Sequence, residues 1–322
     1  MSTVMAPPRT ADEAYLDRLK GVTFRPVFII GPHRSGTTIL YRVLAETECF
    51  NLTTAYHIVH RDRLLELRFT GKEQAAREDM TRTFAGKGLL GGEHNKAPIS
   101  PDIPEEYCFA LEHQGRRILV DAANLDSFNT FCKKLQVLQD PARPLLLKNP
   151  YDTLNFLYLH QTFPEARFVF IYRHPVDVVN SQMTLLRRIF EKKSEYHALI
   201  FDRYRRLTES PARMAAVSFF YSARFPFLVR QVSHYVSRNF DYMLANMEKL
   251  GEQAIGITYP ELCQDPNQTV RRILDFAGVK EPREQDYSKL IREREPAILP
   301  DVEKHRAWIE KRNETYCRRF GF

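Results

Sequence analysis

The chain has 322 residues, 43% hydrophobic and 27% charged, which suits one large soluble domain or two small ones. Its 47 Lys and Arg against 40 Asp and Glu leave a net charge of +7, so anionic ligands are expected. No long basic run, zinc-ligand spacing or repeat accompanies that charge, so nucleic acid is not expected as a partner.

The five cysteines (Cys49, Cys108, Cys132, Cys263 and Cys317) are scattered, with no C-x-x-C. That pattern implies reduced thiols in a cytoplasmic compartment rather than a disulfide framework or zinc ribbon. The N-terminus, MSTVMAPPRTADEAY, lacks the apolar stretch of a signal peptide. Nowhere do about 18 apolar residues run together, so no membrane span is expected.

In chain order, residues 1–24 read as an arm with a short helix over Ala11 to Lys20. Residues 25–322 read as a single domain. Its first strand is PVFIIG (Pro26 to Gly31), a continuous apolar run of the kind buried in a parallel sheet. Similar runs follow at RILVDA (Arg117 to Ala122), PLLLK (Pro144 to Lys148), RFVFIYR (Arg167 to Arg173) and AIGITY (Ala254 to Tyr259). A helix is expected over Asp152 to Phe163, capped by Asp152 and stopped by Pro164, and another from Pro175 onward.

This alternation implies an α/β domain with a mostly parallel central sheet. Residues 50–115 and 183–248 interrupt it and read as elaborations on one core. The first is polar, with a glycine-rich break at Gly86, Gly88, Gly91 and Gly92. The second reads as all helix, with Phe219, Phe220, Tyr221, Phe225, Phe227, Tyr235, Phe240 and Tyr242 as helix core.

The stretch PVFIIG-PHRSG-TTILYRVLAE is strand, glycine loop, then helix. Gly31 and Gly36 have the spacing of a phosphate-cradling P-loop, and the backbone N–H groups of Ser35, Gly36, Thr37 and Thr38 would form an anion site at the helix start. An ATP-hydrolysing loop carries lysine after its second glycine; Thr37 stands there instead, and Arg34 is the nearest cation. No convincing acidic metal ligand ends a strand, Asp121 being a weak candidate, so no metal is expected to be required.

P-H-R-S-G-T-T resembles the 5′-phosphosulfate loop of the sulfotransferase family, which uses 3′-phosphoadenosine 5′-phosphosulfate (PAPS) and releases PAP. That resemblance implies a P-loop NTPase-like three-layer core with added helical segments. It also implies that Arg34 is the loop cation and a catalytic contact. The segment RFVFIYRHPVDVVNSQM is similar to the family's second anion site, with Ser181 eight residues after Arg173. The resemblance implies that this pair holds the 3′-phosphate, which needs a permanent cation and a hydroxyl donor. LLLKNPYDT resembles the strand that brings a lysine, here Lys148, to the oxygen bridging sulfate and phosphate. TYPELCQDP resembles the segment whose tyrosine, here Tyr259, contacts adenine.

The late R-K-G-x-x-G-D-W-K segment of the cytosolic branch is missing; only Arg292, Arg294 and Lys304 lie in that region. The chain is therefore more similar to the divergent bacterial or tyrosylprotein-type branch. Its general base stays open. The cytosolic branch has histidine just after the lysine, where Asn149 and Pro150 stand. The tyrosylprotein-type branch has a glutamate beyond the loop, and Ala55 falls near that place. The candidates are His57, with His60 near it, and the pair Glu105–Glu106 in SPDIPEEYCFAL, a run similar to one in bacterial members.

The tripeptide His60-Arg61-Asp62 matches a kinase catalytic motif, but its companion motifs are missing, so chance explains it. The expected activity is sulfuryl transfer to a small or lipid-like hydroxyl acceptor. An ATP-dependent small-molecule kinase and an inactive nucleotide-binding module are the alternatives. The oligomeric state is not readable from the sequence.

Overall fold

The computed structural model describes residues 10–91, 99–111, 118–222, 227–283, 285–291 and 297–322. Five strands, β1 (Pro26–Ile30), β2 (Asn51–Leu52), β3 (Leu145–Lys148), β4 (Arg167–Tyr172) and β5 (Ala254–Thr258), form one sheet. Their order is β2-β3-β1-β4-β5, and every neighbouring pair is parallel. Parallel strands need crossovers, so helices cover both faces.

The apolar runs of the sequence divide at alternate residues. Phe28, Ile30, Leu145, Leu147, Phe168 and Phe170 join one core; Val27, Ile29, Leu146, Val169 and Ile171 join the other. The first core is covered by the helices Leu125–Leu138, Phe156–Thr162, Pro175–Glu191 and Phe227–Asn246. The second is covered by Thr37–Glu46 and Pro266–Ala277. Phe168 is fully buried, so Phe168→Ala would cost about 3–5 kcal/mol.

Register decides what meets at the carboxyl ends. Ile29 of β1 pairs with Lys148 of β3, and Tyr172 of β4 pairs with Thr258 of β5. The residues that follow, Gly31 to Thr38, Arg173 and Tyr259, therefore emerge on the same edge as Lys148, where ligands bind in open α/β sheets.

Three expectations need correction. Residues 118–122 do not form a strand; Arg117 lies outside the described residues. The carbonyls of Ile118, Leu119 and Val120 are taken by the side-chain amides of Asn149, Asn124 and Asn155 at 2.9, 2.7 and 2.8 Å. The sheet edge is instead β2, two residues too short to signal in sequence.

Asp152 does not cap a helix. Asn149 caps a 3-10 turn over Pro150–Leu154, and the α-helix begins at Phe156. Asp152 sits inside that turn, bonded to Tyr107, Asn149 and Asn155.

The aromatics of 183–248 are not all core. Phe240 is buried, but Phe219, Phe220 and Phe227 are exposed, and Phe225 lies outside the described residues.

Residues 195–221 form three short helices, Glu195–Ile200, Asp202–Thr208 and Pro211–Tyr221. In the first elaboration, an extended segment runs back along Thr53 to Tyr56, with Glu105 N–H donating to the Thr53 carbonyl at 2.9 Å and Tyr107 N–H to that of Lys148 at 3.2 Å. Gly92 of its glycine break lies outside the described residues. The arm contributes a 3-10 helix, Ala11–Leu19, docked by a buried ion pair between Asp12 and Lys134 at 2.6 Å. All five cysteines are free thiols. Among the described residues, no helix is long and apolar enough to cross a membrane.

Candidate active site

The loop after β1 is shaped by close packing. A Cβ on Gly31 would fall 2.6 Å from Ser35 Oγ, and one on Gly36 would fall 2.6 Å from the Tyr259 ring. Gly36 has φ +111°, so both its backbone and its surroundings demand glycine. Arg34 holds φ +71° without that freedom, a strain typical of functional loops. Gly36 also begins the helix Thr37–Glu46 with no side-chain cap, leaving the first N–H groups for a ligand. Ser35 Oγ is buried and has no hydrogen-bond partner.

One cluster gathers beside β4 and β5. Arg34 Nε donates to Ser181 Oγ at 2.9 Å, and Arg173 donates to the Arg34 carbonyl at 3.3 Å. The Arg173 guanidinium lies 4.3 Å over the Tyr259 ring, as the register of β4 and β5 requires. Arg173 Nε is buried without a hydrogen-bond partner, its nearest acid, Asp177, being 3.8 Å away. Desolvation, then the charges of Arg173 and Arg188, push the pKa of Arg34 down. Two crowded guanidiniums with an unbonded N–H beside an uncapped helix start have the chemistry to hold an anion; the Ser35 N–H is not part of that cradle, because it donates to the Pro32 carbonyl at 3.1 Å. These features fit a nucleotide carrying phosphates at both ends.

A second cluster surrounds Lys148. Its Nζ lies 2.9 Å from Thr38 Oγ1 on the loop and 2.9 Å from Glu106 Oε1. Burial pushes the Glu106 carboxyl up, but Lys148 and His33 outweigh it and hold it below the usual range. Burial pushes Glu105 up, and the Tyr196 hydroxyl, which donates to it, offsets that only in part. Two adjacent carboxylates are thus driven apart in pKa, one staying ionised beside a cation.

His57 is placed elsewhere. Its Nδ1 accepts from the Thr54 N–H at 3.1 Å and meets the Thr54 hydroxyl at 3.0 Å, as the third residue of a capping box on Ala55–Val59. Burial and then Arg77 push its pKa down to about 3. A neutral imidazole has one lone pair, and here the helix cap uses it. His60 packs on Tyr56, and its Nε2 is buried without a partner. Of the arginines noted late in the chain, Arg292 and Arg294 lie outside the described residues.

Four site residues were not singled out by motif. His33, within the loop, lies edge-on to Tyr151 at 4.4 Å with Nε2 buried and unpartnered. Burial pushes its pKa down; the Glu106 charge opposes that, while Lys148 and Arg34 add to it. Gln182 fixes the His33 carbonyl at 2.8 Å. Arg188 lies seven residues beyond Ser181 on one helix, a same-face spacing that the sequence does display. Tyr196 reaches Glu105 across 91 residues, with no local signal.

The sequence model of the sulfotransferase family matches residues 26–221, more than half of the chain. The fold is similar to sulfotransferase STF9 from Mycobacterium avium, at 18% identity and TM-score 0.64, over 96% of this chain and 81% of that one. It is also similar to sulfotransferase STF1 from Mycobacterium tuberculosis H37Rv, at 18% identity and TM-score 0.53, over 94% of this chain and 80% of that one. By sequence, no curated protein matches.

Proposed function

The chain belongs to the sulfotransferase family, and on that premise we propose that it transfers the sulfuryl group of PAPS to a hydroxyl of a small or lipid-like acceptor. The observation that carries this reading is the position of Lys148, whose Nζ is 2.9 Å from both Thr38 on the phosphate loop and the Glu106 carboxylate. A cation for the leaving oxygen and a base for the incoming hydroxyl are held together.

In this reading Arg34, the unpartnered Ser35 hydroxyl and the N–H groups of Gly36, Thr37 and Thr38 hold the 5′-phosphosulfate, the Ser35 N–H being bonded to the Pro32 carbonyl. Arg173 and Ser181 hold the 3′-phosphate, and the Tyr259 ring contacts adenine. Glu106 accepts the proton of the acceptor hydroxyl. The new S–O bond forms as the bridging S–O bond breaks, and the electron pair leaves on the 5′-phosphate of PAP, where Lys148 neutralises it. Glu105, held by Tyr196, positions its neighbour.

Residues 25–322 act as a single domain in this account. Residues 50–115 and 183–248 lie on the acceptor side, since they supply Glu105, Glu106 and Tyr196. His57 is a structural residue here, because its lone pair is already bonded. Thr37 in place of the P-loop lysine disfavours an ATP-dependent kinase.

The test is a thermal-shift titration with PAP, 5′-AMP and ATP–Mg. A ligand at 100 times its Kd adds about 2.7 kcal/mol to native stability. PAP should stabilise strongly and 5′-AMP weakly. Stabilisation by ATP–Mg without PAP would sink the proposal. Loss of sulfuryl transfer in Lys148→Ala separates an enzyme from a binding module, which has no transfer to lose.

A further inference from the structure

The helix Pro211–Tyr221, PARMAAVSFFY, has no buried residue. It leans on the helix Pro175–Glu191, with Arg187 Nε donating to the Tyr221 carbonyl at 3.1 Å and the Phe190 and Tyr221 rings 4.7 Å apart. Met214, Val217 and Tyr221 are half-buried on that side. Ala212, Ala215, Ala216, Phe219 and Phe220 are exposed. Their spacing of three and four residues makes one continuous helical stripe, and it is the apolar stripe that faces outward.

Phe219 and Phe220 are 50% and 52% exposed, and Phe227, at the start of the next helix, is 45% exposed. Isolated exposed apolar residues are ordinary, but the Phe219 and Phe220 rings lie 6.3 Å apart at the end of the apolar stripe and form a patch with it.

Charge decides what covers it. Residues 202–230 hold six arginines against one Asp and one Glu, a net +4 of the chain's +7. Arg203 and Arg206 on the preceding helix and Arg213 on the same helix as the stripe are exposed. A second copy presenting the same surface would set these cations against each other, whereas an anionic bilayer offers apolar tails to the rings and negative headgroups to the arginines. We propose that the segment 202–222 docks on an anionic lipid surface, with Ala212, Ala215, Ala216, Phe219 and Phe220 in the interface and Arg206 and Arg213 on headgroups. The docking stands on this geometry alone and does not depend on the sulfuryl-transfer reading. If both hold, a lipid-like acceptor meets the enzyme at its own surface.

Sedimentation with vesicles tests it, using phosphatidylcholine alone or with about a third phosphatidylglycerol. The full chain should pellet with the anionic vesicles and stay in solution with the neutral ones. Because each arginine near the surface is worth about fivefold, Arg206→Gln with Arg213→Gln should cut the partition by at least about tenfold. Phe219→Ser with Phe220→Ser should cut it by a similar factor. Both double variants alter exposed side chains and should keep the parent's melting temperature and its response to PAP. The proposal is overturned if the chain ignores anionic vesicles, or if both variants pellet like the parent. A dimer in light scattering that the phenylalanine variant dissolves, without vesicle binding, would overturn it too and assign the patch to self-association.

Discussion

Arg34 and Ser181, separated by 147 positions in the chain, are joined by a hydrogen bond of 2.9 Å from Nε to Oγ. The loop after β1 and the helix after β4 are thereby tied together, and in the proposed reading they form one anion site rather than two. Arg173 strengthens the link by bonding the Arg34 carbonyl. A ligand with phosphates at both ends would engage both elements at once, and their cations are already oriented.

In the proposed reading the Ser181 hydroxyl therefore has two roles, holding Arg34 and meeting the 3′-phosphate, that one substitution separates. Ser181→Ala should weaken PAP by about 10–100-fold, the range for a hydrogen bond to a charged group. Binding of 5′-AMP should fall only a few-fold, through the loosened Arg34. Isothermal titration of both ligands measures this. Equal losses would show that Ser181 acts on Arg34 alone.

Gly36 leaves no room for a side chain. Gly36→Ala would force a residue at φ +111° and drive its Cβ to 2.6 Å from the Tyr259 ring. We expect a stability loss of about 1–3 kcal/mol in denaturant unfolding and no thermal shift with PAP. Unchanged PAP binding would show that the loop is not the phosphate cradle.

Glu106 and His57 were both candidates for the base, and their surroundings predict opposite phenotypes. Glu106→Gln should lower sulfation of any acceptor the enzyme accepts by about 10²–10⁴-fold, with PAP still raising the melting temperature. His57→Ala should cost about 1 kcal/mol of stability through the lost cap and leave turnover per folded molecule near the parent's. If the two phenotypes are exchanged, the base is His57.

His57 also sets a pH dependence. Its folded pKa, about 3, lies below the ordinary 6.5, so the unfolded chain binds the extra proton between those values. Its contribution to stability is present in full above pH 6.5 and is lost as pH falls toward 3. One such proton changes stability by about 1.4 kcal/mol per pH unit. Burial raises Asp152 to about 6, which acts the other way, because stability is lost as pH rises from its ordinary 3.8 toward 6. Chemical denaturation of His57→Gln and the parent at pH 7 and pH 5 isolates the His57 part. The variant should lose clearly less on acidification; parallel losses would refute the assignment.

Much of the fold and half of the site are readable along the chain because they depend on short spacings. Apolar runs mark β1, β3, β4 and β5, and a strand–glycine–helix order marks the loop from Gly31 to Thr38. The eight positions from Arg173 to Ser181 cross one strand end and about two helical turns, so their shared direction is local geometry. The run at Ile118 to Ala122 misleads because side-chain amides, the nearby Asn124 and the distant Asn149 and Asn155, claim its carbonyls, a competition that apolar pattern does not record.

The sequence by itself determined the family-like loop, the strand-end cations and the parallel α/β class, all from residues near one another in the chain. Only the tertiary structure decided which candidate base meets Lys148. The segment carrying Glu106 is laid along Thr53 and against β3, while the lone pair of His57 is used by its own helix cap. The same packing turned the apolar stripe of Pro211–Tyr221 outward. These outcomes depend on contacts between distant segments, and such contacts are set by competition for burial and hydrogen bonds across the whole chain.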